Sequence, residues 1–378
     1  MTNITPSATV VINSMAAEKK ARGERIYNFA AGDPILPSHP KVIEAVIAAI
    51  QTEQILYPPI AGLPRLRKVS AEWMNQKYNC RYKVENTLVT VGGKFALFAA
   101  MQVLLKEGDD VLIPCPYWVS YPQIASLFGA RPIFLPTCEE DQWKLKPETL
   151  KKYLTAKAKV LILNNAGNPT GVLYSKEELK ELLAIADAAG IFIISDEVYS
   201  EIVYDHNRFF SCGELFDKAL VIQSCSKNFA MTGWRVGFAF GPEPLIRSMT
   251  AIQSQSTTGA SNVCQWAALA AFQNHDEITS LVRNSMQKRR DVFIHTFNEL
   301  FGSHLSKPLA TLYAFIPLSI FQKNMDSSEL CTELMTKYNI ACVPGIAFGK
   351  EGYLRMAFSE KEEILREGLV ALKKGIEG

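Results

Sequence analysis

The sequence predicts an α/β fold: a mainly parallel, open sheet with helices on both faces, joined to a smaller α+β domain. Three observations predict it. From Thr87 onward, short apolar runs alternate with helix-length runs, the pattern of a parallel sheet wound through crossover helices. Residues 160–163 and 191–194 are apolar at every position, as in strands covered on both faces. After about Ser261 the alternation gives way to a long helical stretch, then strand, helix, strand and helix.

In order, residues 1–24 read as an arm and a short helix. Pro37 and Pro40 precede a helix with Val42, Ile43, Val46, Ile47 and Ile50 on one face. Residues 57–63 are rich in turn formers, and an amphipathic helix follows over 64–78. Residues 88–91 form a strand, Gly92-Gly93 a tight turn, and 94–105 a helix. Strands follow at 111–113, 133–135 and 160–163. Ser175-Lys176-Glu177-Glu178 is a capping box that opens a helix, and Gly190 closes it. Buried strands recur at 191–194, 219–222 and 236–240. A helical region then covers 262–301, with a strand at 312–317, a helix at 327–337, a strand at 353–358 and a last helix. The expected division is an arm and part of the small domain over 1–38, a large domain over 39–275 and a small domain over 276–378. No internal repeat or low-complexity linker interrupts it.

Composition narrows the function. The 378 residues carry a formal net charge of +2, so nothing favours nucleic acid or an acidic membrane surface. The longest apolar runs are strand-length, too short to span a bilayer. The start, MTNITPSATV, has neither a charged nor an apolar region of a secretory signal. Eight cysteines without CxxC spacing suggest free thiols in a reducing, cytoplasmic compartment. His39, His206, His275, His295 and His304 never fall at metal-ligand spacing, so no metal is expected.

The chemistry centres on residues 224–235, SCSKNFAMTGWR. Ligands of open α/β sheets bind beyond the carboxyl ends of strands, and most candidate residues follow a strand. The Lys227 amine can form a Schiff base with a carbonyl compound, pyridoxal phosphate included. Ser224 offers a hydroxyl, and Arg235 a donor fork that matches phosphate. Asp196, ending a buried strand in SDEVY, could keep a pyridinium nitrogen protonated, and Tyr199 could bond the ring's phenolic oxygen. The plainer reading is a loop-start aspartate and a half-buried tyrosine. Asn168, in NNAGNPTG, can donate its amide to the same oxygen, or simply belong to a turn. Trp118, in PYWVSYP, could stack on a flat ring or pack under a loop. Gly93 and Lys94 open a helix whose free N–H groups favour a phosphate. Arg355, on a late strand, could clamp a carboxylate in bidentate fashion, or be a surface arginine.

Together the segments PSATV, AAGDP, YPPIAGLP, VTVGGKFAL, PYWVSYP, NNAGNPTG, SDEVY, SCSKNFAMTGWRVG, SQSTT, VPGIAFG and YLRMAFS resemble the class I aminotransferases among the fold-type-I pyridoxal phosphate enzymes. The resemblance runs from about Pro6 to Phe358. It implies pyridoxal 5′-phosphate as cofactor, with Lys227 as Schiff-base lysine and Asp196 as pyridinium partner. It implies Asn168 and Tyr199 on the phenolic oxygen, Trp118 stacked on the ring, and Ser224, Arg235 and the Gly93 and Lys94 amides on the phosphate. Arg355, helped by the backbone of Gly32, would bind the substrate α-carboxylate. A tyrosine matching Tyr57 reaches the neighbouring subunit's phosphate in this family, so a homodimer is implied. One departure is visible: the family usually has proline where Ala166 stands. Proline would stiffen that loop, so its rigidity, not the role of Asn168, is in question.

The reaction implied is a ping-pong transamination between an L-amino acid and a 2-oxo acid, in which the Lys227 amine moves the Cα proton. PSATV, PYWVSYP and SQSTT look most like the bacterial aspartate aminotransferase branch. There a lysine at the position of Lys94 is associated with a distal carboxylate, with Thr9 and a serine of 254–256 nearby. That makes aspartate and 2-oxoglutarate the expected pair. Relatives acting on aromatic, branched or alanine-type amino acids, and carbon–sulfur lyases, would share every cofactor residue. A DNA-binding regulator on this fold would carry an added segment, and none is seen before Pro6.

Overall fold

The computed structural model describes residues 8–52, 55–322 and 325–377. Residues 1–7 of the expected arm, Pro6 among them, lie outside them. The described chain opens with helix α1 (Ala8–Ala21), strand β1 (Tyr27–Asn28), α2 (Pro40–Gln51) and α3 (Pro64–Tyr78). The alternating region comprises β2 (Thr87–Thr90), α4 (Gly92–Leu104), β3 (Asp110–Cys115), α5 (Ser120–Leu127), β4 (Arg131–Pro136), α6 (Pro147–Tyr153) and β5 (Ala158–Asn164). It continues through α7 (Lys176–Ala188), β6 (Phe192–Asp196), α8 (Cys212–Leu215), β7 (Leu220–Ser224), α9 (Cys225–Asn228) and β8 (Gly237–Phe240). Helices α10 (Glu243–Ser254), α11 (Asn262–Gln273) and α12 (His275–Phe301) follow. The chain ends in β9 (Tyr313–Pro317), α13 (Ser327–Tyr338), β10 (Ile340–Ala341), β11 (Val343–Pro344), β12 (Tyr353–Ala357) and α14 (Glu362–Glu377).

Seven strands form one sheet in the order β2-β8-β7-β6-β5-β3-β4. Its pairs are parallel except that β8 runs against both of its neighbours. The apolar run in β5 shows why both faces are covered. Successive side chains point to opposite faces. Val160 and Ile162 therefore pack with Ala96 and Leu97 of α4 and Ile246 of α10, while Leu161 and Leu163 pack with Leu179 and Leu182 of α7.

The end of the chain builds a smaller α+β unit. Strands β11, β12 and β9 form an antiparallel sheet, and α12 and α14 pack against it in the largest apolar cluster. Strand β1 pairs in parallel with β10, which ties the segment after α1 to this unit. Among the described residues no helix is long and apolar enough to cross a membrane.

Local signals mostly hold. The Ser175 hydroxyl accepts from the Glu178 N–H at 3.2 Å, and the Glu178 carboxylate accepts from the Ser175 N–H at 2.7 Å, closing the capping box. Gly190 ends that helix with φ +67°. The helical region expected over 262–301 is corrected: it breaks into α11 and α12 at Asn274. The Asn274 amide donates to the Ala270 carbonyl at 2.8 Å, competing with the backbone ladder, and Asp276 and Glu277 favour a fresh N-terminus.

Candidate active site

The hairpin-like excursion between β7 and β8 sets the position of the key lysine. Ser224 pairs with Gly237, so residues 225–236 leave and re-enter the sheet at one point. Lys227 and Arg235 are thereby held beside Ser224. The N-terminus of α4 arrives at the same spot. A Cβ on Gly237 would overlap the Gly92 backbone, and a Cβ built on Gly93 would lie 3.6 Å from the Ser224 Cβ. Arg235 has φ +56°, and one of its terminal nitrogens would lie 2.6 Å from a Cβ on Gly92. The result is a concave cluster of a hydroxyl, a guanidinium and helix N–H groups that lack intrahelical partners, suited to a dianion.

A second group of side chains surrounds a flat slot. Asp196 is buried at the end of β6, and the Tyr121 hydroxyl donates to its carboxylate at 2.7 Å. Burial pushes this carboxyl up to about 6, against the opposing pull of the Tyr121 hydrogen bond. A buried carboxylate of this kind calls for a cation, such as a protonated ring nitrogen. Trp118 stands edge-on to Tyr121, with ring centroids 5.3 Å apart, and the Lys94 amine lies 4.9 Å from the Trp118 ring centroid. Partial burial, with help from Arg235, lowers the Lys94 amine below its ordinary value.

The third group reaches in from the small unit. Arg355 on β12 is buried; it donates to the Ala30 carbonyl at 2.8 Å and to the Asn168 side-chain oxygen at 3.2 Å. Its Nε is buried without a partner, and among the described residues no carboxylate pairs with it. Burial accordingly lowers its guanidinium from the ordinary value. A buried cation without an acid is a binding site for one. The Lys227 amine donates to the Gly32 carbonyl. A side chain at Gly32 would overlap the Tyr313 hydroxyl, so that loop requires glycine. Tyr199 and Tyr313 share a hydrogen bond of 2.9 Å between their hydroxyls.

All three groups line one cavity of about 560 Å³, within the range of small-molecule sites. Gly32, Gly93, Lys94, Trp118, Asn168, Asp196, Tyr199, Ser224, Lys227, Arg235 and Arg355 all face it, as does Thr9. Tyr57 does not: it is 90% exposed in the single chain. Residues 254–256 do not line it either; the Ser254 and Ser256 hydroxyls bond the Ala251 and Ile252 carbonyls. The loop that lacks proline at Ala166 is held otherwise. Asn165 accepts from the Tyr174 N–H at 3.2 Å and donates to the Phe210 carbonyl at 3.0 Å, and the Asn168 N–H donates to the Asn164 side chain at 2.8 Å.

The model of the family "Aminotransferase class I and II" matches residues 24–372. The chain belongs to the class I and II aminotransferases. It is 34% identical to a probable aspartate/prephenate aminotransferase of Aquifex aeolicus (strain VF5), over 100% of this chain and 98% of that one. It is 32% identical to an aspartate aminotransferase of Bacillus subtilis (strain 168), over 99% and 97%. The solved structure of the Thermus thermophilus aspartate aminotransferase with maleate matches at TM-score 0.94 and 33% identity, over 98% of this chain and 97% of that chain.

Tyr121 and Tyr313 are among the residues of this aminotransferase site that escaped the sequence reading. Tyr121 lies three residues after Trp118, one turn along, and that spacing could have flagged it. Tyr313 sits in an apolar strand, where nothing marks its hydroxyl as facing a cavity.

Proposed function

We propose that this aminotransferase binds pyridoxal 5′-phosphate and exchanges the amino group of an L-amino acid, aspartate first, with a 2-oxo acid, 2-oxoglutarate first, in two half-reactions. The observation that carries the reading is a half-buried amine, a buried carboxylate and a buried guanidinium without an acid partner, all facing one cavity. Each suits one part of the cofactor or substrate.

Bound there, the cofactor supplies a sink for the electron pair left when the Cα–H bond breaks. Lys227 would hold its aldehyde carbon covalently. Asp196 would keep a proton on the ring nitrogen, and the Tyr199 hydroxyl and Asn168 amide would bond the phenolic oxygen. Trp118 would cover the ring face. Ser224, Arg235 and the Gly93 and Lys94 N–H groups would hold the phosphate. Arg355 would take the substrate α-carboxylate, beside the Gly32 backbone. The free Lys227 amine would take the Cα proton as base, hold it as the ammonium and return it as acid to a carbon on the cofactor side. The Lys94 amine faces the same cavity and would meet a distal carboxylate. The site is completed by a second copy of the chain, with Tyr57 of the partner subunit on the phosphate. Eight free cysteines agree with a cytoplasmic enzyme.

The test is an absorbance spectrum of the purified protein, repeated with aspartate, alanine or phenylalanine in excess. The expected result is a visible band, absent in Lys227→Ala, that fades fastest with aspartate. Lys94→Ser should raise KM for aspartate about tenfold and leave alanine unchanged, the loss of one charge-assisted contact. A band that answers to another amino acid discards aspartate alone; no band after added pyridoxal phosphate discards the cofactor. Prephenate, named among the relatives, enters the same assay as a second acceptor.

A further inference from the structure

Tyr313 stands where the two halves of the site meet. Its hydroxyl lies 2.9 Å from the Tyr199 hydroxyl. Its ring face lies 4.2 Å from the Arg355 guanidinium carbon, with the Phe348 ring 4.9 Å away as the second aromatic contact. Its hydroxyl also fills the space where a side chain on Gly32 would go, under the carbonyl that receives the Lys227 amine.

We propose that Tyr313 is a positioning residue of this aminotransferase: its hydroxyl orients the Tyr199 hydroxyl, and its ring face holds the Arg355 guanidinium. The inference rests on the pyridoxal phosphate reading above. A tyrosine hydroxyl has one hydrogen to donate. If Tyr199 gives its hydrogen to the phenolic oxygen of the cofactor, it must accept from Tyr313. Donation from Tyr313 polarises the Tyr199 hydroxyl and makes it the stronger donor, because hydrogen bonds in a chain reinforce one another. The Arg355 fork is fixed at two nitrogens, by Ala30 and Asn168, and an aromatic face beside it keeps the cation desolvated and aimed inward.

The two contributions separate by substitution. A strong donor at the phenolic oxygen would draw charge away from it, so the Lys227 Nζ beside it would hold its proton less tightly. Removing the Tyr313 hydroxyl weakens that donor and moves the titration upward. Among the described residues the charged and titratable groups facing the tyrosine pair are Arg355, Asp196, Tyr121 and Lys227, and neither substitution alters any of them.

The experiment compares wild-type, Tyr313→Phe and Tyr313→Leu holoenzymes, reading the pH at which the visible band titrates and the dissociation constant of maleate. Tyr313→Phe is expected to raise the titration by about half a pH unit and to bind maleate as wild type does. Tyr313→Leu is expected to weaken maleate about tenfold, the loss of one desolvated cation–aromatic contact. A Tyr313→Phe band that titrates with the wild type overturns the hydroxyl role, and wild-type affinity in Tyr313→Leu overturns the ring role. If the leucine variant does not fold, weakened maleate binding in Tyr313→Phe overturns the assignment to the ring. A wild-type protein with no visible band overturns the cofactor reading itself, and this proposal with it.

Discussion

Asp196 shows what one buried residue costs and what the cost is for. Its carboxyl is raised to about 6 by burial, while in an unfolded chain it would titrate near 4. A raised acid binds more protons folded than unfolded between those two values, so its contribution to stability falls as pH rises through that window. Below it the carboxyl is protonated in both states and costs nothing. Above it the cofactor-free protein carries the full penalty, of order 3 kcal/mol for a shift of about two units. Glu197, raised to about 7 by burial, acts in the same direction but faces Ser195 and Cys212 rather than the cavity. Thermal melts of cofactor-free Asp196→Asn should therefore lie above wild type in mildly alkaline buffer and converge with it under acid. An equal offset at both pH values would mean the carboxylate is not the source. With cofactor bound, the same substitution should lower kcat at least about a hundredfold, because the ring nitrogen loses its anion. A destabilising residue that only the ligand rescues is the signature of a site.

At the scale of elements, the strand-to-helix turn between β2 and α4 is the tightest part of the design. Gly92 has φ +74°, and a Cβ there would crowd Arg235. Gly92→Ala combines a left-handed strain of about 1–2 kcal/mol with displacement of the guanidinium. The expected outcome is a folded protein whose affinity for pyridoxal phosphate drops at least about tenfold, measured by titration of the cofactor-free form. Unchanged affinity would remove Arg235 and the α4 N-terminus from phosphate binding. The glycine pair was legible in the sequence, as were the buried strands, the capping box and the loops after each strand. Those signals are local: turn chemistry, apolar runs and caps report their own few residues. What the sequence did not reveal depends on distant partners. The reversed direction of β8 follows from its pairing with β2 and β7, the two-residue strands β1 and β10 exist only because they meet, and the break at Asn274 comes down to a single residue with φ −122° and ψ 30°. Tyr313 was hidden for the same reason, since its partners Tyr199, Arg355 and Gly32 are far away in sequence.

For the whole molecule, the single chain leaves a surface that needs explaining. Ile47, Ile50, Ile55, Leu56 and Tyr57 are all exposed, Leu56 at 76% and Tyr57 at 90%, and Val10 and Val11 of α1 are exposed as well. Exposed apolar side chains in this number suit the dimer contact proposed above. We propose domain boundaries near residues 38 and 275, which put this surface on the arm and the large domain and leave Arg355 on the small one. In the two-fold dimer proposed above, the same patch of both chains would meet, so Tyr57 would lie far from its own cavity and close to the other. Hybrid dimers test this. Lys227→Ala destroys the site on its own chain, whereas Tyr57→Ala weakens the site on the opposite chain. In a mixed dimer one site has lost both residues and the other has both intact. Mixing and refolding the two variants in equal amounts should therefore bring activity at limiting cofactor to about a quarter of wild type, above the mean of the parents, as expected from random pairing of a two-fold dimer. If Tyr57 served its own chain, or if the chain worked alone, each mixed site would keep its parent's defect and activity would stay at the mean of the two parents.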